Sequence, residues 1–332
     1  MPLYNSEEFL AEAIQSVLKQ TFSDFEFLIV DDSNDRSYEI AKSFSDSRIR
    51  IIKNNPSLGL RKSSNIGIRE AKGKYIARME ADDIAVPHRL KTQYEFMESH
   101  QDISVSSCYM EAFGAEKGIW SYPLTNDEIK AGLLWGITVA HPACFMRKNF
   151  LLDNNFFYNE VGFPYSEDWE FFYNMRNKAV FANIAEVLNY YRRSEGSVTK
   201  RMRPNREVIM NGMLAKVLSE FGIQFSKGDI FLHRALNGDF AKTPDSVFVS
   251  AIAKWLEKVQ LHNRSSKEYS GEALAKIIDR KWSLLFYFLV PHGRKVVSSY
   301  FKNSSRVRYE HLLYYSKYSV NKLIGRKKAA LS

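Results

Sequence analysis

Three acidic clusters hold most of the chemical potential of this 332-residue chain: Asp31-Asp32, Glu80-Ala81-Asp82-Asp83 and Ser166-Glu167-Asp168-Trp169. A hard divalent cation such as Mg²⁺ or Mn²⁺ wants oxygen ligands. It often takes one or two protein carboxylates and fills its shell with substrate phosphates and water. The second cluster suits that role, supplying carboxylates on a tight turn that could bridge a metal to a diphosphate; a solvated acidic loop or an acid-stabilised helix start would use the same residues. Asp32 could accept hydrogen bonds from a nucleobase N–H or from ribose hydroxyls, although Asp-Asp-Ser-Asn-Asp is also a turn sequence. The third cluster, just before an apolar helix, puts a carboxylate at a helix N-terminus, where it could act as a general base or be a helix cap. Taken together, three such clusters in one α/β domain are hard to explain as stability features.

The elements that must position them follow from the apolar pattern. Asn5 followed by Glu8 predicts a capped helix whose buried face is Phe9, Leu10, Ala13, Ile14, Val17 and Leu18. Phe25–Val30, a nearly continuous apolar run ending at the first acid pair, predicts a strand buried on both faces. Further strands are expected at Ile49–Ile52, Tyr75–Met79 and Ile103–Tyr109, with helices over Ser63–Ala71 and after Pro87. This alternation implies an α/β fold with a mostly parallel sheet, whose ligands bind beyond the carboxyl ends of the strands. From about Arg206 strand signals fade and helical spacing takes over, which divides the chain into 1–203 and 204–332.

Composition narrows the function. Hydrophobic residues make up 45% and charged residues 26%, ordinary for a globular protein. Cys108 and Cys144 have no metal-ligand spacing and fit a reducing cytoplasm. The net charge of +9 is uneven: from Arg280 onward twelve Lys/Arg face Glu310 alone, +11, which leaves −2 for the rest. A near-neutral body argues against nucleic acid as a partner. No signal peptide is expected, and the longest apolar run, Leu284–Val290, falls short of the ~20 residues that span a bilayer. The basic end interleaves aromatics such as Trp282, Phe286, Tyr300 and Tyr314. That suits either peripheral contact with an anionic membrane on its inner face or a helical cap with its charges in water.

Other residues carry two readings each. His141 could contact acceptor or donor phosphate, or be a packed, hydrogen-bonded histidine. Arg192 and Arg193, after the strand Val187–Tyr191, could pair with a diphosphate or stay on the surface. Trp169 could stack on an acceptor sugar, desolvate Asp168, or pack in the core.

Read in order, the segments resemble the family 2 glycosyltransferases. The resemblance rests on Pro2-Leu3-Tyr4-Asn5, Leu18-Lys19-Gln20-Thr21-Phe22, Phe27-Leu28-Ile29-Val30-Asp31-Asp32-Ser33, Leu58-Gly59-Leu60 and Ser64-Asn65-Ile66-Gly67-Ile68. It continues through Gly73-Lys74-Tyr75-Ile76-Ala77-Arg78-Met79-Glu80-Ala81-Asp82-Asp83, His141-Pro142-Ala143, Ser166-Glu167-Asp168 and Tyr191-Arg192. It implies a GT-A fold with a smaller, mainly helical C-terminal region, and inverting transfer of a hexosyl group from a nucleotide-diphosphate sugar. The default donor is a UDP-sugar, and the acceptor a glycan or lipid-linked molecule in bacterial surface polysaccharide synthesis. Mg²⁺ or Mn²⁺ would be the cofactor. By the same resemblance, Pro2, Tyr4, Asp31, Asp32, Asn65, Glu80, Asp82 and Arg192 would bind the donor. Glu167, Trp169 and His141 would meet the acceptor, Asp82 and Asp83 the metal, and Asp168 would be the catalytic base.

The chain departs from the pattern in places. Glu80 stands where the family usually has Asp, and Ser64 where many members carry Arg. The glycine common after the second Asp is missing. Most of the first strand is absent too, so a truncated sequence is expected. Of the rival readings, a sugar nucleotidyltransferase needs a glycine-rich phosphate loop, and residues 1–22 contain no glycine. A catalytically impaired homologue acting as a scaffold would have lost Asp82 or Asp168, and both are present.

Overall fold

The structure, a computed structural model, describes residues 1–193, 206–240 and 242–323. The chain forms two compact units, Met1–Ile209 and Met210–Ser332, where the sequence pattern had suggested a boundary at 203/204.

In the first unit β1 (Pro2–Leu3), β2 (Phe27–Asp31) and β3 (Ile49–Lys53) form a parallel sheet in the order β1-β2-β3. Every residue of β2 is buried, as expected for a strand covered on both faces. Helix α1 (Leu10–Leu18) packs Leu10, Ala13, Ile14 and Val17 into the core beside β2. The expected Asn5–Glu8 cap does not form. Helix α1 begins later, and Asn5, in a left-handed conformation, uses its side chain to accept from Asn34 N (3.0 Å) while its own N–H donates to Ser33 Oγ (3.0 Å). Asn5 thus ties the β1 turn to the turn after β2. Helices α2 (Ser37–Lys42) and α3 (Leu60–Glu70) flank β3 in sequence.

The second sheet contains β4 (Tyr75–Ala77), β5 (Ile84–Ala85), β6 (Val105–Gly114), β7 (Gly118–Trp120), β8 (Phe145–Arg147) and β9 (Phe181–Arg193). Its order is β4-β8-β6-β9-β5, with β7 on β6. Only β6 and β9 pair parallel here; β4, β5, β7 and β8 pair antiparallel, so the expected parallel character holds for part of the molecule. The β6–β7 hairpin explains one case, since a short loop can join only antiparallel strands. Helices α4 (Arg89–Ser99), α5 (Asn126–Gly132), α6 (Lys148–Asp153) and α7 (Glu167–Met175) complete the unit. β2 and β4 do not pair with each other. A cavity of about 510 Å³ is lined by Phe27 and Leu28 of β2, Tyr75, Ile76 and Ala77 of β4, and Ile68 of α3.

The second unit is helical over its described residues: α8 (Arg206–Phe221, which begins just before it), α9 (Lys227–Ala235), α10 (Ser246–Ser266), α11 (Gly271–Leu289), α12 (Arg294–Lys302) and α13 (Tyr309–Leu323). Ser226 and Asp229 form a reciprocal capping box for α9. Most aromatics of the basic stretch pack inward. Phe286 and Tyr300 are buried, Trp282 stacks on Tyr300, and Phe286 stacks on His311. The outward face of α13 instead carries Tyr309, Leu312, Leu313 and Val320. Arg326, Lys327 and Lys328 lie outside the described residues. Among the described residues no helix is long and apolar enough to cross a membrane.

Candidate active site

The first acid pair closes β2. Asp32 is buried and its carboxylate is saturated: Oδ1 accepts from Asn54 Nδ2 (3.0 Å) and Leu58 N (2.7 Å), and Oδ2 from Ser57 Oγ (2.7 Å) and Gly59 N (2.7 Å). A carboxylate offers about four lone-pair sites, so the loop between β3 and α3 occupies all of them. Burial alone would raise its pKa, but these hydrogen bonds outweigh it and hold the group below the usual carboxylate range. Gly59 caps α3 at φ 85°, a conformation open to glycine and strained for a side chain. Asp31 is fully buried. Its Oδ1 accepts from Ser33 N (3.1 Å), and among the described residues Oδ2 has no hydrogen-bond partner, with Lys53 Nζ at 3.9 Å. Pro2 pairs with Val30 in the sheet, and Tyr4 is 59% exposed. Asn65 of α3 is buried and grips the backbone of Tyr158, donating to its carbonyl (3.0 Å) and accepting from its N–H (2.8 Å).

The second acid cluster bridges β4 and β5, and its three carboxylates part company. Glu80 Oε1 accepts from Arg78 Nη2 at 2.7 Å. Asp83 is wholly buried: Oδ1 accepts from Arg192 N (3.0 Å) and Oδ2 from Asn189 Nδ2 (2.9 Å). The β5–β9 pairing, Ala85 opposite Asn189 and Ile84 opposite Tyr190, brings these partners alongside. Burial, then the neighbouring Asp82, raise Asp83 to about 8. Asp82 is half-buried, and among the described residues its carboxylate meets no side-chain donor. Burial, then the charge of Glu80, raise it to about 6, against the pull of its own N–H and of Arg192. Arg192 is itself committed. It lies between Phe9 and Phe113, donates from Nε to the Asp82 carbonyl (2.8 Å), and pairs with Glu12 of α1.

The third cluster opens α7. Asp168 Oδ1 accepts from Trp169 N (2.7 Å), while Oδ2 has no partner among the described residues. Burial is the main cause that raises this carboxyl to about 6, with Glu167 adding and Arg78 opposing. Glu167 lies 3.9 Å from Arg61. Trp169 is buried, its indole N–H donating to Leu133 O (2.8 Å), so it is a core residue beside the acid rather than an exposed platform. His141 is likewise buried. Its Nδ1 receives Arg78 Nε (3.3 Å) and its Nε2 meets Tyr158 OH (2.7 Å). Desolvation, then Arg78, push its pKa well below the usual value and keep the ring neutral. Gly162 sits so close to Glu170 that a Cβ there would fall 2.0 Å from Oε2. A side chain at this position would require the Glu170 carboxylate and the Asn159 amide to move.

Arg78 and Tyr158 relate the two regions. Both Glu80 and Asp168 act electrostatically on Tyr158, and both Asp168 and Glu80 feel Arg78. Asp82 in turn feels Glu80. The second and third clusters therefore share one electrostatic neighbourhood, with open carboxylate oxygens on Asp82 and Asp168. Asp32 is tied into the β3–α3 loop, and Asn65, His141 and Trp169 support the site from inside. The role of Arg78 and Tyr158 was not read from the sequence. Their shared partner, His141, lies 63 residues from Arg78 and 17 from Tyr158, beyond any local pattern.

For a cation, the donor set is short. Among the described residues no group of three or more His, Cys, Asp or Glu gathers to hold a metal ion. Asp82 nevertheless fits the mode in which one carboxylate carries a Mg²⁺ or Mn²⁺ whose other ligands are phosphates and water. The Glu80 charge beside it favours a cation, and Asp83 is sealed behind it.

The two-sheet α/β frame is that of a GT-A glycosyltransferase, and solved structures share it. S. aureus TarS (residues 1–349) in complex with UDP-GlcNAc aligns at TM-score 0.56 and 18% identity over 98% of this chain and 90% of that one. A mannosyltransferase from Pyrobaculum calidifontis in complex with GDP-Man and Mn²⁺ aligns at TM-score 0.51 and 13% identity over 98% and 86%. At such identities the likeness concerns the fold. The family model described as Glycosyl transferase family 2 matches residues 1–156. The Escherichia coli UDP-Glc:alpha-D-GlcNAc-diphosphoundecaprenol beta-1,3-glucosyltransferase WfaP is 32% identical over 241 residues, 71% of this chain and 90% of that protein. An uncharacterised glycosyltransferase of Haemophilus influenzae is 30% identical over 203 residues, 57% of this chain; the match spans only 62% of that relative's length. The chain belongs to glycosyltransferase family 2 and is a glycosyltransferase.

Proposed function

We propose that this glycosyltransferase transfers a hexosyl group, with inversion, from a UDP-sugar to a hydroxyl of a lipid-linked glycan in bacterial surface polysaccharide synthesis. The observation that carries this reading is the pair of open carboxylates, Asp82 and Asp168, each raised to about 6 and both set around the Arg78–Glu80 pair. The printed names of relatives support the donor and acceptor classes: UDP-Glc and GlcNAc-diphosphoundecaprenol for WfaP, UDP-GlcNAc with TarS.

In this reading Asp168 Oδ2 takes the proton of the acceptor hydroxyl. The freed oxygen forms a bond to the anomeric carbon from the face opposite the nucleotide. The bond from that carbon to the diphosphate oxygen breaks, and its electron pair leaves on the diphosphate. Trp169 N–H holds Asp168 through Oδ1 and leaves Oδ2 without a partner among the described residues. Glu80 reaches the ribose, and Asp31 and Asp32 shape the nucleoside end through the loop they hold. Arg192 fixes the Asp82 carbonyl. Asp82 would carry the Mg²⁺ or Mn²⁺, which when bound offsets charge on the leaving diphosphate. A thermal-shift screen of nucleotide sugars with Mn²⁺ and with chelator tests this. Stabilisation by a UDP-sugar only with metal is expected; no donor stabilising the protein under either condition would contradict it.

A lipid-linked acceptor implies work at the inner face of the membrane. The exposed Leu312, Leu313 and Val320 of α13, on a stretch of strong positive charge, support peripheral contact. Flotation with anionic vesicles at low salt should carry the protein upward, and protein left at the bottom would rule the contact out.

A further inference from the structure

We propose that Arg78 is a positioning residue for the transfer: its buried guanidinium couples Glu80, on the donor side, to the His141–Tyr158 pair that packs against the helix bearing Asp168. The inference rests on the catalytic reading above and adds a residue to it.

Arg78 follows β4 and is only 6% exposed. Its three nitrogens reach three elements: Nη2 to Glu80 Oε1 (2.7 Å), Nε to His141 Nδ1 (3.3 Å) and Nη1 to Ser64 Oγ of α3 (3.5 Å). Guanidinium is a donor only, so His141 Nδ1 must be the acceptor, and its Nε2–H is then left to donate to Tyr158 OH at 2.7 Å. The tautomer of the histidine is set by the arginine. Tyr158 is in turn fixed twice, by Asn65 at its backbone and by Phe171 of α7 at its ring, stacked at 4.2 Å and 10°. Phe171 lies on α7 one turn after Asp168. A continuous path therefore runs from Glu80 through Arg78, His141 and Tyr158 to the catalytic helix. Only arginine supplies it, because a planar fork can serve three acceptors in different directions whereas an ammonium is a point charge on a flexible stem.

The test uses Arg78→Lys, Tyr158→Phe and Ser64→Ala in the full chain, with melting temperature, donor KM and kcat measured for each. Arg78→Lys keeps the charge beside Glu80 and loses the fork. Small misplacements of reacting groups cost about 10- to 100-fold in rate. We therefore expect Arg78→Lys to melt near wild type, to lower kcat by about 10- to 100-fold and to raise donor KM, with Tyr158→Phe shifting kcat the same way by less. Should Arg78→Lys fail to fold, Tyr158→Phe and Ser64→Ala carry the decision. Folded variants with wild-type kcat and donor KM would overturn the role. Absence of transfer by the wild-type protein itself would instead overturn the catalytic reading, so the two failures are distinct.

Discussion

The aspartate pairs at the end of β2 and between β4 and β5 look alike in sequence, each adjacent acids beyond an apolar run, yet they fold into opposite electrostatic objects. In the first, four donors from one loop converge on Asp32 and hold its pKa down. In the second, Asp83 takes the available donors and Asp82 is left half-buried with none from a side chain, so its pKa rises. A carboxylate that is satisfied by its own fold is a structural tie, and one that is desolvated without donors is held ready for a cation or a proton. The difference lies in where the donors come from. The loop after β3 delivers them to Asp32 at a distance of 22 to 27 residues, whereas β9 delivers them to Asp83 from more than 100 residues away.

Substitution at the two turns should separate these roles. Asp82→Ala is expected to have the larger effect on function: loss of metal-dependent donor binding and of transfer, with stability kept or raised, because the ionised acid is disfavoured by its surroundings. Isothermal titration with the donor and Mn²⁺ reads the first, and a urea melt the second. Asp32→Asn should do the reverse. It turns an amide N–H₂ toward groups that donate, and each buried donor left unsatisfied costs about 1–3 kcal/mol, so the melt should report a loss of about 2–4 kcal/mol. An Asp82→Ala protein that bound donor and metal as wild type, or an Asp32→Asn protein of unchanged stability, would erase the contrast.

Much of the frame was legible in the sequence because it is local. The apolar run Phe25–Val30 contains most of β2, Phe27–Asp31, a strand buried on every residue, and the first and third acid clusters lie at a strand end and a helix start as expected, while the second lies in the turn between β4 and β5. What stayed hidden is long-range hydrogen bonding. Asn5 was read as a cap because the Asn-to-Glu spacing fits one, but a donor 29 residues away claims its side chain. Trp169 and His141 could be read as ligand contacts or as core; the structure buries both, through partners at Leu133, Arg78 and Tyr158 that no periodicity announces. Arg192 could be read as a diphosphate partner or a surface arginine; it is engaged with Asp82 O, Glu12 and two aromatic rings. Its charge acts on Asp82.

The central claim is that Asp168 removes the acceptor proton while Asp82 serves the donor. It is tested most directly by the pH-rate profile of wild type beside Asp168→Asn, with donor binding measured on both. A base works only when deprotonated, and burial raises this one to about 6, so wild-type kcat should fall as pH drops through about 6. Asp168→Asn should bind donor as wild type and lose about 10²- to 10⁴-fold in kcat, the range for a general base, together with that acidic limb. An Asp168→Asn enzyme with wild-type kcat and the same acidic limb would contradict the account.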